Sequence, residues 1–517
     1  MDARSTSLRA AAARWGTVLA VLAVLVASAW LRAPGFTQGG FASHDVGGIL
    51  YNAMVLRDGE LPYVADVELK APGSFYLAWA LAGERATDIA RLQVWANLWA
   101  LLGQLALAVV AWRELGRLPA VVACASLAVV DANLDSMDAN YVTWAQLPQI
   151  LAFGWALAAA RGQGPGRAIG LVVAGALAGA AAMVKQPSGA VWLALALSCA
   201  PGLWARTRRE SAAMVAWLLL GAVLVHVPLA LHYAAHGELG TLLRSYPLNR
   251  WGLSYVGAGG RAHAWPWPIE GALATVFFLA WPLVPAAFAI VVPRDVASRR
   301  VAWPLAIWLL VTIAQAWIGL RFYKGYFLAA APAAALLTAA PWGLFGARLR
   351  LSWPARVALW LPLVALLVRQ FEIDRATRFD RARPHDAGAR AIAAHLTGVL
   401  QPGDRIWVWG WHLWDLYALV DARAATRIYK SLGLIEPPND DTWRLPASRL
   451  RFVDGEYPRQ LVEEFEQDPP AVVVLGSTVP QREFTALRAF LKAHYVRDPA
   501  VRMGKLELWR RRDRVPR

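Results

Sequence analysis

Cysteine is nearly missing from this chain: 517 residues hold two, Cys124 and Cys199, both inside apolar runs. Thiols in that setting read as small buried hydrophobes. They exclude a disulfide framework and a cysteine-built metal site. No phosphate-binding P-loop and no dinucleotide Gly-rich turn occurs, which removes both kinds of nucleotide cradle. No D-x-D triplet of the kind that holds a nucleotide-sugar metal is present. His44 stands beside Asp45, and one histidine does not make a metal site. A divalent ion stays open as a cofactor. No repeat period emerges, so a repeat array is excluded. Acidic residues are outnumbered, 36 Asp and Glu against 52 Lys and Arg, for a net charge of +16.

What the chain has in excess is apolar sequence: 57% of residues, with a mean hydropathy of +0.38. Soluble domains run near about 45–50%. The excess is clustered in runs between residues 14 and 370, each ended by Arg, Pro or Gly. About 20 helical residues span the ~30 Å hydrocarbon core, and shorter runs must pack inside a bundle or re-enter. The runs predict about eleven transmembrane helices, at 14–32, 89–112, 118–134, 142–160, 168–184, 188–204, 212–233, 269–292, 302–319, 326–346 and 355–370.

The positive charge does not form one patch, which argues against nucleic acid as a partner. It lies in short clusters in every second loop: Arg113 and Arg117; Arg161 and Arg167; Arg206, Arg208 and Arg209; Arg294, Arg299 and Arg300; Arg348, Arg350 and Arg356. Arg4, Arg9 and Arg14 precede the first run. By the positive-inside rule the N-terminus is cytoplasmic, and an odd number of spans puts the C-terminal region outside. The first run ends in Ala27-Ser28-Ala29 like a signal peptide, but it is long enough to span and Trp30 follows directly. It is expected to stay as an uncleaved helix. The 27 Trp fit interfacial belts, as at Trp99, Trp112, Trp192 and Trp204. Two outer loops are long, 33–88 and 234–268, so the working face is expected outside.

The spans stop near residue 372. The expected division is a membrane module, 1–372, with its first outer loop at 33–88, and a small α/β domain at 373–517. In the second part Arg405–Trp411, Ala425–Tyr429 and Ala471–Gly476 read as strands. Stretches near 386–398, 458–468 and 480–494 read as amphipathic helices.

The first outer loop carries the chemistry. Ser43 or His44 starts a helix, and Gly59 and Pro62 stop it. Apolar positions 46, 49, 50, 53 and 54 predict one apolar face lying on the membrane. Asp45 sits in the first turn, where the helix dipole favours a carboxylate. That carboxylate either stabilises the helix end or accepts a proton from a sugar hydroxyl. Lys70 suits a phosphate as a point charge, or snorkels at the interface. Rival acids are Asp66 and Glu68, an acid-x-acid pair, and the group Asp131, Asp135 and Asp138. Trp407, Trp409, Trp411 and Trp414 either stack on sugar or fill the domain core.

Together, Asp45, Tyr51, Ala53, Gly59, Pro62-Tyr63, Asp66, Lys70 and Pro72 resemble the first periplasmic loop of GT-C superfamily membrane glycosyltransferases. The nearest group is similar to protein O-mannosyltransferases and aminoarabinose (lipid A) transferases, the bacterial ArnT/RgtA-like group. Its loop usually begins Asp-Glu, continues to Gly-x-x-Pro-Tyr and ends in a Lys-Pro-Pro-like element. Here Val46 replaces the Glu, and Ala71-Pro72-Gly73 replaces the prolines. Arg321-Phe322-Tyr323-Lys324-Gly325-Tyr326, leading to Pro332, looks like the aromatic lead-in to a late helix of that group. The stretch Asp404–Trp411 looks like the start of its C-terminal outer domain.

The resemblance implies a polyprenyl-phosphate-linked sugar donor and a cell-envelope acceptor that is lipid, polysaccharide or protein. It also implies an inner-membrane location with a periplasmic C-terminal domain. It places Asp45 as the acid near the acceptor, with Asp66 and Glu68 second. Lys70, Lys185, Arg321 and Lys324 are the cations for the donor phosphate. Charges at membrane edges are costly and therefore functional candidates. The rival class is a transporter or flippase for lipid-linked sugar without transfer chemistry. It predicts two symmetric halves with broken helices, which the sequence does not show.

Overall fold

The computed structural model describes the chain from Ala3 to Val515 except residues 38–43, 84–86, 135, 247–266, 292–295, 319, 321, 345–351, most of 353–386, 411–412, 432, 436–450, 477–479 and 500–505. The second long outer loop, the eleventh expected span, Arg321 and Asp135 fall mostly or wholly outside the described residues. The backbone divides into two compact units.

The first unit comprises Met1–Thr37, Gln93–Leu229 and Pro266–Asp380 and is helical. Among the described residues six helical stretches are long and apolar enough to cross a membrane: Ala11–Leu31, Ile89–Glu114, Gly164–Val184, Arg208–Ala235, Arg299–Trp317 and Lys324–Gly343. They carry large apolar side chains outward, among them Leu19, Val26, Leu102, Val109, Ile169, Leu219, Val223 and Leu310. With no water in the bilayer, closely packed helices rely on small residues at their contacts. Gly175 and Gly221 do this between Gly164–Val184 and Arg208–Leu224. A Cβ on Gly175 would lie 2.0 Å from the Leu218 carbonyl, and one on Gly221 1.9 Å from that of Val172. Two expectations need correction. Run 188–204 is not one span: it is a 3-10 turn, Gln186–Gly189, and a nine-residue helix, Ala190–Ser198. At 1.5 Å per residue that helix covers under half the bilayer core. Trp204 is not an interfacial anchor. It is buried, and its indole donates to the Arg300 carbonyl at 3.1 Å.

A polar knot ends the first helix. Arg32 is fully buried and donates to Asn97 Oδ1 (3.1 Å), the Ser136 carbonyl (2.8 Å) and Asp131 Oδ2 (3.4 Å). Gln146 and Gln104 donate to the same carboxylate at 2.7 and 3.3 Å. A buried charge needs such partners to be tolerated.

The second unit comprises Gln38–Leu92, Ala230–Trp265 and Arg381–Arg517. The first-loop segment therefore groups with the C-terminal region. Its centre is a four-stranded sheet: β1 (Ile406–Trp409), β2 (Val472–Leu475), β3 (Tyr495–Arg497) and β4 (Glu507–Arg511), in the order β1-β2-β4-β3. β1 and β2 are parallel, with Ile406 opposite Val472, and the other pairs are antiparallel. Alternation splits the side chains between two cores. Ile406, Val408, Val472, Val474 and Leu508 meet Tyr51 and Val55 of the first-loop helix and Ile392 of Ala387–Thr397. Trp407, Trp409, Val473 and Trp509 meet Leu461 and Phe465 of Glu456–Gln467, and Leu487 of Thr485–His494. Trp407 and Trp409 are thus core residues and not a sugar platform; the Trp407 indole donates to the Ile428 carbonyl at 2.8 Å. Trp414 is also buried, while Trp411 lies outside the described residues.

The expected strand Ala425–Tyr429 is absent. Only Ala424 bridges to Ile406. The local polar groups are taken elsewhere. Glu464 accepts from the Thr426 hydroxyl and the Arg427 N–H, and the Arg427 carbonyl receives the Val67 N–H at 2.8 Å. The first-loop helix runs His44–Arg57, close to its expected bounds. It does not present one apolar face to a membrane: Val46 to Val55 are buried all round, Asn52 included.

Candidate active site

Asp45 lies in the first turn of the enclosed helix, and the two residues after Val46 are glycines. They let other backbone approach. A Cβ on Gly47 would lie 2.9 Å from the Asp415 amide nitrogen, and one on Gly48 3.3 Å from the Tyr429 hydroxyl. One turn on, Tyr51 stacks on Tyr429 with ring centroids 3.9 Å apart. The buried face fixes the helix and leaves Asp45 at its half-exposed start, its side chain 39% accessible.

Lys70 meets it there. The Lys70 Nζ lies 3.4 Å from Asp45 Oδ1, and its side chain is 35% accessible. A carboxylate and an ammonium that both face solvent can each exchange this partner for a ligand. An exposed pair of this kind contributes little to stability, about 0–1 kcal/mol.

Asp66 and Glu68 are different. Both are buried. Asp66 Oδ1 accepts the Tyr63 N–H at 2.9 Å, while Oδ2 is buried with no hydrogen-bond partner among the described residues. Burial, then the charge of Glu68, pushes the Asp66 carboxyl up to about 7. Glu68 goes the other way. Burial opposes its ionisation, but the Lys430 ammonium and the donors around it hold it below the usual carboxylate range. Its Oε2 accepts from Tyr429 Oη and Lys430 Nζ, each at 2.5 Å.

The remaining candidates belong to the first unit. Lys185 follows helix Gly164–Val184 with extended backbone, and its Nζ lies 4.8 Å from the Tyr326 ring centroid. Tyr326 and Lys324 share the 3-10 helix Lys324–Ala330, so the chain brings Lys185 to the Lys324 segment. Tyr323 packs edge-on to Tyr326 at 5.5 Å. Leu320 and Phe322 have φ of 48° and 50°, a backbone region that bulky residues rarely occupy and that clusters at functional sites. Asp131 is absorbed by the Arg32 knot. Asp138 is buried and accepts the Asn140 N–H at 3.3 Å. Sequence reasoning missed Arg32, Tyr429 and Lys430. No local pattern marks them, and each acts on residues far away in the chain. Among the described residues no three His, Cys, Asp or Glu side chains gather as a metal site.

Membrane-length apolar helices with lipid-type outer faces define a multi-pass membrane protein. Its fold is shared with solved structures of two other proteins. The chain is similar to ArnT from Cupriavidus metallidurans bound to undecaprenyl phosphate, with TM-score 0.57, 14% identity, and coverage of 95% of this chain and 97% of that one. The same enzyme in the apo state gives TM-score 0.55 at 16% identity, covering 96% and 98%. The archaeal oligosaccharyltransferase AglB from Archaeoglobus fulgidus, in complex with an inhibitory peptide and a dolichol-phosphate, gives 0.51 at 12% identity, covering 96% and 75%. No family model and no curated protein matches the sequence.

Proposed function

We propose that the chain is a glycosyltransferase that moves one sugar from a polyprenyl-phosphate donor to a cell-envelope acceptor. The observation that carries this reading is the half-exposed Asp45–Lys70 pair in a protein of GT-C fold. Bound undecaprenyl phosphate in ArnT and dolichol-phosphate in AglB support a lipid-linked donor.

An acceptor hydroxyl attacks the anomeric carbon of the sugar. The bond from that carbon to the phosphate oxygen breaks, and polyprenyl phosphate leaves with the electron pair. Asp45, half-exposed beside Lys70, takes the hydroxyl proton as general base. Lys70 stabilises the charge that develops on the leaving phosphate. Without donor, Lys70 neutralises Asp45. A phosphate that draws Lys70 to itself leaves Asp45 as a stronger proton acceptor. Asp66 and Glu68 are not assigned the base, because one is buried and prone to protonation and the other is already engaged by four donors.

The proposed setting is the bacterial inner membrane, crossed many times. The N-terminus is inside; the first loop and residues 373–517 are on the outer, periplasmic side. The loop-charge pattern supports this orientation. The test is transfer by purified protein from a panel of labelled polyprenyl-phosphate sugars. Release of free polyprenyl phosphate supports the enzyme. Movement of the donor across the bilayer with its bond intact supports the transporter.

A further inference from the structure

The acid-x-acid segment holds two buried carboxylates that the proposed chemistry leaves unused. Their hydrogen bonds converge on the backbone of Lys70. Glu68 Oε1 accepts the N–H of Leu69 at 2.7 Å and that of Lys70 at 3.2 Å. Asp66 accepts the Tyr63 N–H and closes the turn in which Tyr63 takes a φ of 68°. The Tyr63 hydroxyl then donates to the Lys70 carbonyl at 2.5 Å. Both polar groups of the Lys70 backbone are thus held by side chains that the acid pair fixes.

The acid pair is in turn anchored from the far end of the chain. Lys430 is only 5% exposed. Its ammonium pairs with Glu68 at 2.5 Å and lies 4.8 and 5.4 Å from the ring centroids of Tyr429 and Trp414. A Cβ on Gly48 would be 3.4 Å from the Lys430 Nζ. One buried cation therefore binds the segment that carries Lys70 and lies beside the helix that carries Asp45. We propose that Glu68, held as a carboxylate by the buried Lys430, is a positioning residue that sets the Lys70 ammonium against Asp45. This inference rests on the reading that Lys70 receives the donor phosphate. A backbone held rigid beneath the lysine lowers what binding must still order.

Removing one member of a buried pair leaves an uncompensated charge, so the test replaces both. K430M/E68A removes the acceptor for the Leu69 and Lys70 amides. K430M/E68Q keeps a side-chain carbonyl for them, and Met keeps the packing on Trp414. Affinity for undecaprenyl phosphate is measured for both beside the thermal midpoint from tryptophan fluorescence. The Ala pair is expected to bind about tenfold more weakly, and the Gln pair within about threefold of wild type, at matching thermal midpoints. Wild-type affinity in a folded K430M/E68A protein would overturn the proposal. K70M separates the two ideas. Weak binding by K70M beside normal binding by K430M/E68A removes the positioning role alone. Normal binding by K70M removes the phosphate reading, and the positioning role with it. If K430M/E68A does not accumulate, hydrogen exchange across residues 64–76 of the wild-type protein takes its place. Slow amides at 69 and 70 support the role, and exchange at the rate of an open loop overturns it.

Discussion

Asp45, Asp66 and Glu68 are carboxylates of one loop with three different surroundings. Asp45 is half-exposed and paired with Lys70, so it is replaceable without harm to the core. Asp45→Asn is expected to lower turnover by about 10²–10⁴ with an unchanged thermal midpoint, measured as sugar transfer per purified protein. Asp66 is raised to about 7, so the folded protein keeps a proton there that the unfolded chain releases near pH 4. The folded state then holds more protons, and its stability falls as pH rises between roughly 4 and 7. Thermal scans over that range check this, and Asp66→Asn is expected to flatten the slope and raise the midpoint at pH 8 by a few degrees. Glu68 has the opposite sign: its contribution is complete at neutral pH and is lost as the pH falls below the usual carboxylate range. The sequence marks Asp45 and Lys70 because helix-start and loop patterns are local. It does not mark Lys430, whose partner lies 362 positions away, or Arg32, whose partner Asp131 lies 99 away. Those contacts exist only once the chain is folded.

At the scale of elements, helix bounds were legible and burial was not. The segment His44–Arg57 has clear start and stop residues, yet its apolar spacing also fits a membrane-surface helix. Gly47 and Gly48 make the difference, by admitting Asp415, Tyr429 and Lys430 to the side that would otherwise face lipid or water. Gly47→Ala places a methyl 2.9 Å from the Asp415 amide. It is expected to cost about 1–3 kcal/mol by overpacking, read as a lower thermal midpoint with a parallel loss of donor affinity. Strands β1 and β2 were legible because continuous Val, Ile and Trp mark a sheet buried on both faces. β3 and β4 were missed because Tyr495–Arg497 and Glu507–Arg511 carry polar residues at short length. The Ala425–Tyr429 stretch has strand-like composition, but Glu464 and Val67 occupy its hydrogen-bonding groups.

At the scale of the whole molecule, the sequence reads as a many-span membrane protein from apolar run length alone, and six described helices meet that length. The proposed orientation rests on the charge pattern between runs. Single cysteines placed in residues 387–514 of a cysteine-free variant are expected to label with an impermeant maleimide in intact cells, and cysteines at Arg117 or Arg209 only after lysis. The central claim is chemical transfer at the Asp45–Lys70 site. It is tested most directly by incubating purified wild-type and Asp45→Asn protein with labelled undecaprenyl-phosphate sugars and an envelope extract, then counting free undecaprenyl phosphate and labelled acceptor. The account predicts equal amounts of both from the wild type and at most about a hundredth of each from Asp45→Asn. Equal transfer by the two proteins, or donor recovered intact on the opposite side of the bilayer, would contradict it.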